Sequence, residues 1–182
     1  MSFERLWAPW RLEYVTGGES ERAPLPVPVK WLPGSDHECF VCRAAALYEP
    51  SAPADRLMMV AERGPNTLVI LNRFPYNNGH LLISPRRHVG EISEVTRDEH
   101  LECMESLGKF TKVYRELLNA EGFNIGLNLG RIAGAGLPGH LHWHLVPRWA
   151  GDNNFMPALA GTRVIPQSLD TLWEMLVEAL KK

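Results

Sequence analysis

The chain contains 182 residues and carries a formal net charge of -2 at pH 7, from 19 Lys and Arg and 21 Asp and Glu residues. A chain of this length forms one domain and buries about two thirds of the surface that it exposes when unfolded. Hydrophobic residues make up 45% of it and charged residues 22%, values that exclude a disordered chain, a collagen and a coiled coil. The balanced charge provides no basic field that would attract nucleic acid.

The expected cellular location follows from the apolar segments and the cysteines. No apolar run in the sequence is long enough to span a bilayer, and the first 15 residues carry charges where a signal peptide has its apolar core. Three cysteines are too few for the disulfide framework of a secreted domain. We therefore expect a soluble, cytoplasmic protein with neither a membrane nor a nucleic acid as partner.

Residues 1–55 are predicted to form an arm in front of a main domain that spans residues 56–182. Four prolines lie between positions 24 and 33, and this density prevents a regular helix or a central strand. The arm also carries Cys39 and Cys42, whose spacing is that of half a zinc knuckle.

Five segments of the main domain are predicted to be strands because they are rich in β-branched and apolar residues. They are residues 56–63, 67–72, 80–84, 123–129 and 140–146. The separating segments 64–66 and 76–79 are rich in Gly, Pro and Asn, which favour turns.

Two amphipathic helices complete the predicted domain. Thr96 and Glu99 form a capping box, apolar residues then recur at helical spacing, and Gly122 is expected to end this long helix. Ser168 is expected to cap a second helix at the C-terminus. At least five strands with a long covering helix predict an α+β fold with a mainly antiparallel sheet.

Three of the seven histidines, His140, His142 and His144, alternate with apolar residues. On a strand this alternation places all three imidazole rings on one face. A solvated face of an amphipathic strand would give the same alternation, but Thr, Lys or Glu would serve equally well there. Three clustered histidines therefore indicate a catalytic or metal-binding site.

Two kinds of chemistry fit the three histidines. In one, two of them bind a catalytic metal ion; all three cannot easily share it, since the outer two lie about 13 Å apart on a strand. In the other, one imidazole attacks phosphorus and forms a phosphoramidate intermediate. The preceding residues 130–139 include four glycines, whose backbone amides are able to converge on an anion. By itself this segment is also typical of a flexible connection. Next to the histidines, it favours the interpretation in which an imidazole attacks phosphorus over the one in which the histidines bind a metal.

These residues resemble the HIT (histidine triad) superfamily, whose signature of three histidines alternating with apolar residues is met by residues 140–146. Residues 71–82 are similar to the family's nucleoside-binding hairpin. Similarity to the bacterial diadenosine tetraphosphate phosphorylase (ATP adenylyltransferase-like) branch is found in residues 6–11, 122–130, 144–149 and 151–155. The resemblance spans roughly residues 56–168 and implies a HIT-like fold, a five-stranded sheet with a long helix, in a homodimer.

The resemblance also implies a role for each histidine. His142 corresponds to the nucleophile that attacks the α-phosphorus, His144 would contact phosphate oxygens, and His140 would help to orient the ring. Glycine-loop amides and protonated imidazoles would stabilise the charge on the phosphate oxygens.

Four further residues match the nucleotide-binding positions of the family. Asn72 corresponds to the residue that binds the ribose hydroxyls and Asn128 to a polar residue that touches the phosphate. Gly136 and Leu137 lie where loop amides hold the phosphate. Without the resemblance, both asparagines would be interpreted as turn or edge-strand residues.

The activity implied is nucleotidyl transfer from dinucleoside polyphosphates such as diadenosine tetraphosphate, through a nucleotidyl-His142 intermediate. Water would release AMP from it and inorganic phosphate would release ADP, and the sequence does not separate the two. No organic cofactor is expected, and this chemistry does not inherently require magnesium. The alternatives are a nucleoside phosphoramidase, a uridylyltransferase, whose family members resemble two fused repeats, and a slow nucleotide-binding sensor.

A structural zinc ion is the remaining expectation. In zinc-containing relatives such as galactose-1-phosphate uridylyltransferase, two cysteines join two histidines. The corresponding residues here are Cys39, Cys42, His88 and His140. His37 is a further candidate ligand, and two reduced thiols without a metal are the alternative. Cys103 lies within the predicted long helix and is expected to pack there as an apolar residue.

Overall fold

The computed structural model of the protein describes residues 24–152 and 167–181. The first 23 residues of the predicted arm, with the similar segment 6–11, and residues 153–155 of the similar segment 151–155 therefore lie outside the described residues. In chain order, the elements are α1 Phe40–Ala45, α2 Ala54–Met58, β1 Val60–Arg63, β2 Thr67–Leu71, β3 Leu81–Pro85, a 3-10 helix Ile92–Glu94, α3 Arg97–Leu118, β4 Gly122–Leu127, β5 Trp143–Arg148 and α4 Leu169–Ala179.

The five strands form one sheet in the order β1-β2-β3-β5-β4, and every neighbouring pair is antiparallel. The predicted α+β class with a five-stranded antiparallel sheet is thereby confirmed. β5 lies between β3 and β4, and its residue His144 faces Leu82 on one side and Gly126 on the other. A strand in this position is fixed by hydrogen bonds on both edges.

α3 begins where the sequence predicts it. The Thr96 hydroxyl accepts a hydrogen bond from the Glu99 amide at 3.3 Å, and the Glu99 carboxylate accepts one from the Thr96 amide at 2.8 Å. Its end differs from the prediction, because Asn119 rather than Gly122 takes the left-handed conformation, with φ of 51°. Asn tolerates this conformation, and Gly122 is then free to start β4.

The first predicted strand, residues 56–63, is wrong over its first half. α2 ends at Met58, Met59 has a φ of 58°, and β1 starts only at Val60. Ala54 and Met58 lie four residues apart and are both buried. That spacing belongs to one face of a helix, so the apolar residues here follow helical periodicity and not strand alternation.

The last predicted strand, residues 140–146, starts later than predicted, because β5 begins at Trp143. The backbone N–H of Leu141 donates instead to the carbonyl of Val89 at 2.7 Å, outside the sheet. Of the three clustered histidines, only His144 therefore lies on a strand. The strands predicted over 67–72, 80–84 and 123–129 agree with β2, β3 and β4 to within two residues at each end.

Among the described residues, a large cluster of buried side chains lies between the sheet and the helices. It joins residues of α1, β2, β3, α3, β5 and α4, among them Val41, Cys42, Leu68, Ile83, Cys103, Phe110, Tyr114, Leu145 and Leu172. α1 thus shares a core with the sheet, while the boundary predicted at residue 56 stays a prediction. Ser168 caps α4 by accepting from the Thr171 amide at 3.2 Å. Within the described ranges, no helix has both the length and the apolar character to cross a bilayer.

Candidate active site and metal centre

The three clustered histidines divide between two neighbouring sites. The rings of His142 and His144 meet edge to face with their centroids 5.0 Å apart. The ring of His140 is fully buried and instead lies 5.1 Å from the ring of His88. His140 contributes to both sites, since its backbone belongs to the first and its side chain to the second.

A backbone carbonyl fixes the tautomer of the neutral His142 ring. Its Nδ1 lies 2.8 Å from the carbonyl oxygen of His140. A carbonyl can only accept, so Nδ1 carries the proton and the lone pair of the neutral ring is on Nε2. Only 7% of the residue's surface is exposed, which leaves one buried imidazole with an unprotonated nitrogen suited to nucleophilic attack.

A chain of hydrogen bonds fixes the tautomer of His144 in the same way. The backbone N–H of Tyr76 donates to Nδ1 of His80 at 3.1 Å, so His80 carries its proton on Nε2. That nitrogen lies 2.9 Å from Nδ1 of His144 and donates to it. His144 consequently carries its own proton on Nε2, and it offers an N–H donor beside His142.

Burial keeps the ring of His144 neutral. Its pKa is lowered from 6.5 to about 4, first by burial and second by the neighbouring His142. The expected protonated imidazole is therefore not supported at this position, and His144 acts as a neutral hydrogen-bond donor. Tyr76 contributes to this environment, because its ring stacks on that of His144 with a centroid separation of 5.5 Å.

His80 and Tyr76 are site residues that the sequence reasoning missed. His80 lies within the segment 71–82, two residues before Leu82, which faces His144 across the sheet. Alternation along the predicted strand 80–84 places residues 80 and 82 on the same face, and this signal could have identified His80. The position of Tyr76 depends on the turn between β2 and β3, which the residue types alone do not specify.

Asn72 holds the turn that carries His80. Its amide nitrogen lies 3.1 Å from Nδ1 of His80, and its side-chain oxygen accepts from the Phe74 amide at 3.0 Å. This is the turn role that its residue type predicts. The oxygen has a second lone pair, which leaves it able to accept from a ribose hydroxyl.

The glycine-rich loop, residues 130–139, starts next to His144. The side-chain amide of Asn128 lies 3.4 Å from Nε2 of His144, and it accepts from that N–H when its oxygen is turned toward the ring. Gly136 is exposed with open space around it, and Leu137 packs against the main core. In the part of the chain that the structure describes, the backbone amides of Gly136 and Leu137 donate to no protein acceptor. These amides are available to an anion.

The second site gathers all four predicted metal ligands. One ligand atom from each of Cys39, Cys42, His88 and His140 lies within 4.8 Å of the other three. Nδ1 of His140 lies 3.3 Å from Sγ of Cys39 and 3.5 Å from Sγ of Cys42, and Nδ1 of His88 lies 3.2 Å from the latter. His37 is not among them, since it stacks on Trp31 with centroids 4.1 Å apart.

The donor set fits a structural zinc ion. Two sulfurs and two imidazole nitrogens with mutual spacings of this size can surround an ion with tetrahedral bonds of roughly 2.0–2.3 Å. Nε2 of His140 donates to the Pro85 carbonyl at 2.9 Å, which leaves its Nδ1 unprotonated for a metal. Burial raises the pKa of the Cys42 thiol to about 12, so this thiol would stay protonated without a cation.

Comparisons with known proteins agree with this geometry. The family model for the HIT domain matches residues 59–151. A protein named AP-4-A phosphorylase from Mycobacterium tuberculosis is 39% identical over 166 residues, which are 91% of this chain and 78% of that protein. The chain therefore belongs to the HIT family, as its resemblance indicated.

Two further relatives share part of the chain. The asymmetrical bis(5'-nucleosyl)-tetraphosphatase of Schizosaccharomyces pombe is 33% identical over 82 residues, 45% of this chain and 44% of that protein. A solved structure described as a Zn-bound histidine triad family protein from Mycobacterium smegmatis is 27% identical, with a TM-score of 0.57, over 68% of this chain and 84% of that one.

The lowered pKa of His144 predicts acid sensitivity of the fold. As the pH falls from 6.5 toward 4, the unfolded chain binds this proton before the folded one does, so the free energy of unfolding should decrease. Allowing for solvent screening, the loss is about 1–2 kcal/mol. Urea unfolding of wild type and His144→Gln across this range should show the stability difference between them change by that amount. Identical pH slopes for the two proteins would contradict the assignment.

Proposed function

We propose that the protein is an enzyme that cleaves dinucleoside polyphosphates of the diadenosine tetraphosphate kind, by transferring a nucleotidyl group to His142. The observation that carries the proposal is the buried His142 ring, with Nδ1 bound to the His140 carbonyl and the N–H of His144 beside it. The names of the relatives support the substrate class, since two of them are a phosphorylase and a tetraphosphatase.

The reaction proceeds in two displacements. Nε2 of His142 attacks the α-phosphorus, an N–P bond forms, and the bridging P–O bond breaks with its electron pair leaving on the departing nucleotide. Nε2–H of His144 and the loop amides of Gly136 and Leu137 donate to the non-bridging oxygens. Asn128 lies beside the phosphate, and the oxygen of Asn72 accepts from the ribose.

Inorganic phosphate resolves the intermediate in this proposal. A phosphate oxygen attacks the α-phosphorus of nucleotidyl-His142, the N–P bond breaks, and the neutral imidazole is restored with release of ADP. The phosphorylase relative supports phosphate over water because the similarity to it extends over 78% of its length. No organic cofactor takes part, and a cytoplasmic location, which the few cysteines support, belongs to the same proposal.

A zinc ion at Cys39, Cys42, His88 and His140 has a structural role in the proposal. When bound, it would hold α1 against the segment that carries His142. The side chain of His140 is then committed to the cluster, and its catalytic contribution is made through its carbonyl oxygen. His140 is in this sense a positioning residue for the nucleophile.

A homodimer is proposed on the evidence of β4. This strand lies at the edge of the sheet, contains no charged residue and exposes Ile125. An uncharged edge strand is a template for pairing with a second copy. Light scattering should give the mass of two chains, and a monomer at micromolar concentration would refute the dimer.

Product analysis tests the proposed reaction. Diadenosine tetraphosphate should give ADP and ATP only when inorganic phosphate is present, whereas AMP and ATP without phosphate would show a hydrolase. His142→Ala should lose at least about 10³-fold in turnover with its fold intact, because the nucleophile is missing. The matched control is His100→Ala, which removes a histidine of α3. Full activity of His142→Ala would refute the nucleophile.

Metal analysis tests the zinc centre without reference to activity. The purified protein is expected to contain about one zinc per chain by elemental analysis, as a four-ligand site binds one ion. Cys39→Ser with Cys42→Ser should abolish the zinc and lower the melting temperature. Cys103→Ala removes the remaining buried cysteine and should keep the metal. Wild type without zinc, or a double variant that retains it, would contradict the assignment.

A further inference from the structure

Arg131 lies in a tight turn at the outer end of the glycine-rich loop. The amide of Gly134 donates to the Arg131 carbonyl at 3.1 Å, and Gly130 and Gly134 have positive φ values of 77° and 90°. Ile132, the next residue, is completely exposed. The turn therefore projects into solvent from the loop that follows Asn128.

The same turn folds back toward the candidate active site. A Cβ atom placed on Gly134 would lie 3.9 Å from the amide nitrogen of Asn128. That amide is in turn 3.4 Å from Nε2 of His144. An extended arginine side chain reaches roughly 7 Å from its Cα. Arg131 is thus linked to Asn128 through Gly134, and an exposed side chain of this length is able to extend toward the mouth of the site.

Arg131 differs from the other arginines around the site in its hydrogen bonding. Each of those donates to a protein oxygen: Arg73 to Leu57, Arg86 to Gly64, Arg87 to Glu99 and Arg148 to Asp152. Across residues 24–152 and 167–181, the Arg131 guanidinium has neither a hydrogen bond nor an ion pair. Its five donors are available to a ligand.

The proposed substrate has charges that the histidines and amides do not reach. His144 and the loop amides can hold one phosphate, whereas a tetraphosphate extends several ångströms beyond the α-phosphate and carries negative charge along its length. A guanidinium binds such phosphates through paired N–H donors. An arginine without a protein partner, on the turn that contacts Asn128, is suited to bind these phosphates.

We propose that Arg131 binds the phosphates beyond the α-phosphate and so makes the site selective for nucleotides with a long polyphosphate chain. This inference rests on the proposed function for the identity of the reacting phosphate. Because Arg131 is exposed, its contribution is screened by salt and is expected to be about five- to tenfold in kcat/KM at low ionic strength.

Two substrates that differ in their number of phosphates test the proposal. Arg131→Ala should lower kcat/KM about five- to tenfold for diadenosine tetraphosphate, mainly through KM, and less than twofold for the p-nitrophenyl ester of AMP, which has one phosphate. Arg131→Lys should recover only part of the loss, because it keeps the charge but not the paired N–H donors. Lys112→Ala is the matched control, since it removes an exposed positive charge on α3, which covers the opposite face of the sheet.

An equal loss for both substrates, or no loss for either, would overturn the proposal. If wild type turns over neither substrate, the proposed function fails. The role of Arg131 is then tested separately by measuring nucleotide binding. Arg131→Ala should then bind ATP about five- to tenfold more weakly than wild type and bind AMP equally well. Unchanged ATP affinity, or a wild type that binds neither nucleotide, would refute the role of Arg131.

Discussion

The hydrogen bond from Nδ1 of His142 to the carbonyl oxygen of His140 is the interaction on which the site depends. It fixes the lone pair of His142 on Nε2 and so defines which nitrogen can attack. The carbonyl is itself held in place because the His140 ring is buried between two cysteines and the Pro85 carbonyl. A change in the cysteine cluster is therefore transmitted to the nucleophile through a single residue.

The surroundings of His142 are neutral donors and not cations. His144 has a lowered pKa and its Nδ1 accepts a hydrogen bond from the Nε2–H of His80, while the loop contributes backbone amides. Fixed dipoles of this kind stabilise charge that develops on phosphate oxygens without the cost of burying a cation. The positive charge of the site stands at its mouth, at Arg131, where water lowers the cost of keeping it unpaired.

The features that could be predicted from the sequence are those with a local signal. The capping bond of Thr96 with Glu99 spans three residues, and the alternation that identified His142 spans five. The end of α3 at Asn119 could not be chosen by residue type, because both Asn and Gly adopt the left-handed conformation. The helix before β1 has only the short spacing of Ala54 and Met58 as its signal, which is easily taken for part of a strand. The division of the three histidines between two sites could not be predicted either. Strand alternation places all three rings on one face, but the segment before Trp143 is not part of the sheet and bonds to Val89 instead.

The stereochemical course at the α-phosphorus tests the central claim most directly. A diadenosine tetraphosphate analogue with one chiral thiophosphate at the α-position would be cleaved in the presence of inorganic phosphate. Two successive in-line displacements, first by Nε2 of His142 and then by phosphate, each invert the configuration. The account predicts overall retention in the product ADP analogue. Overall inversion would mean that phosphate attacks the substrate directly, and it would contradict the nucleotidyl-histidine intermediate.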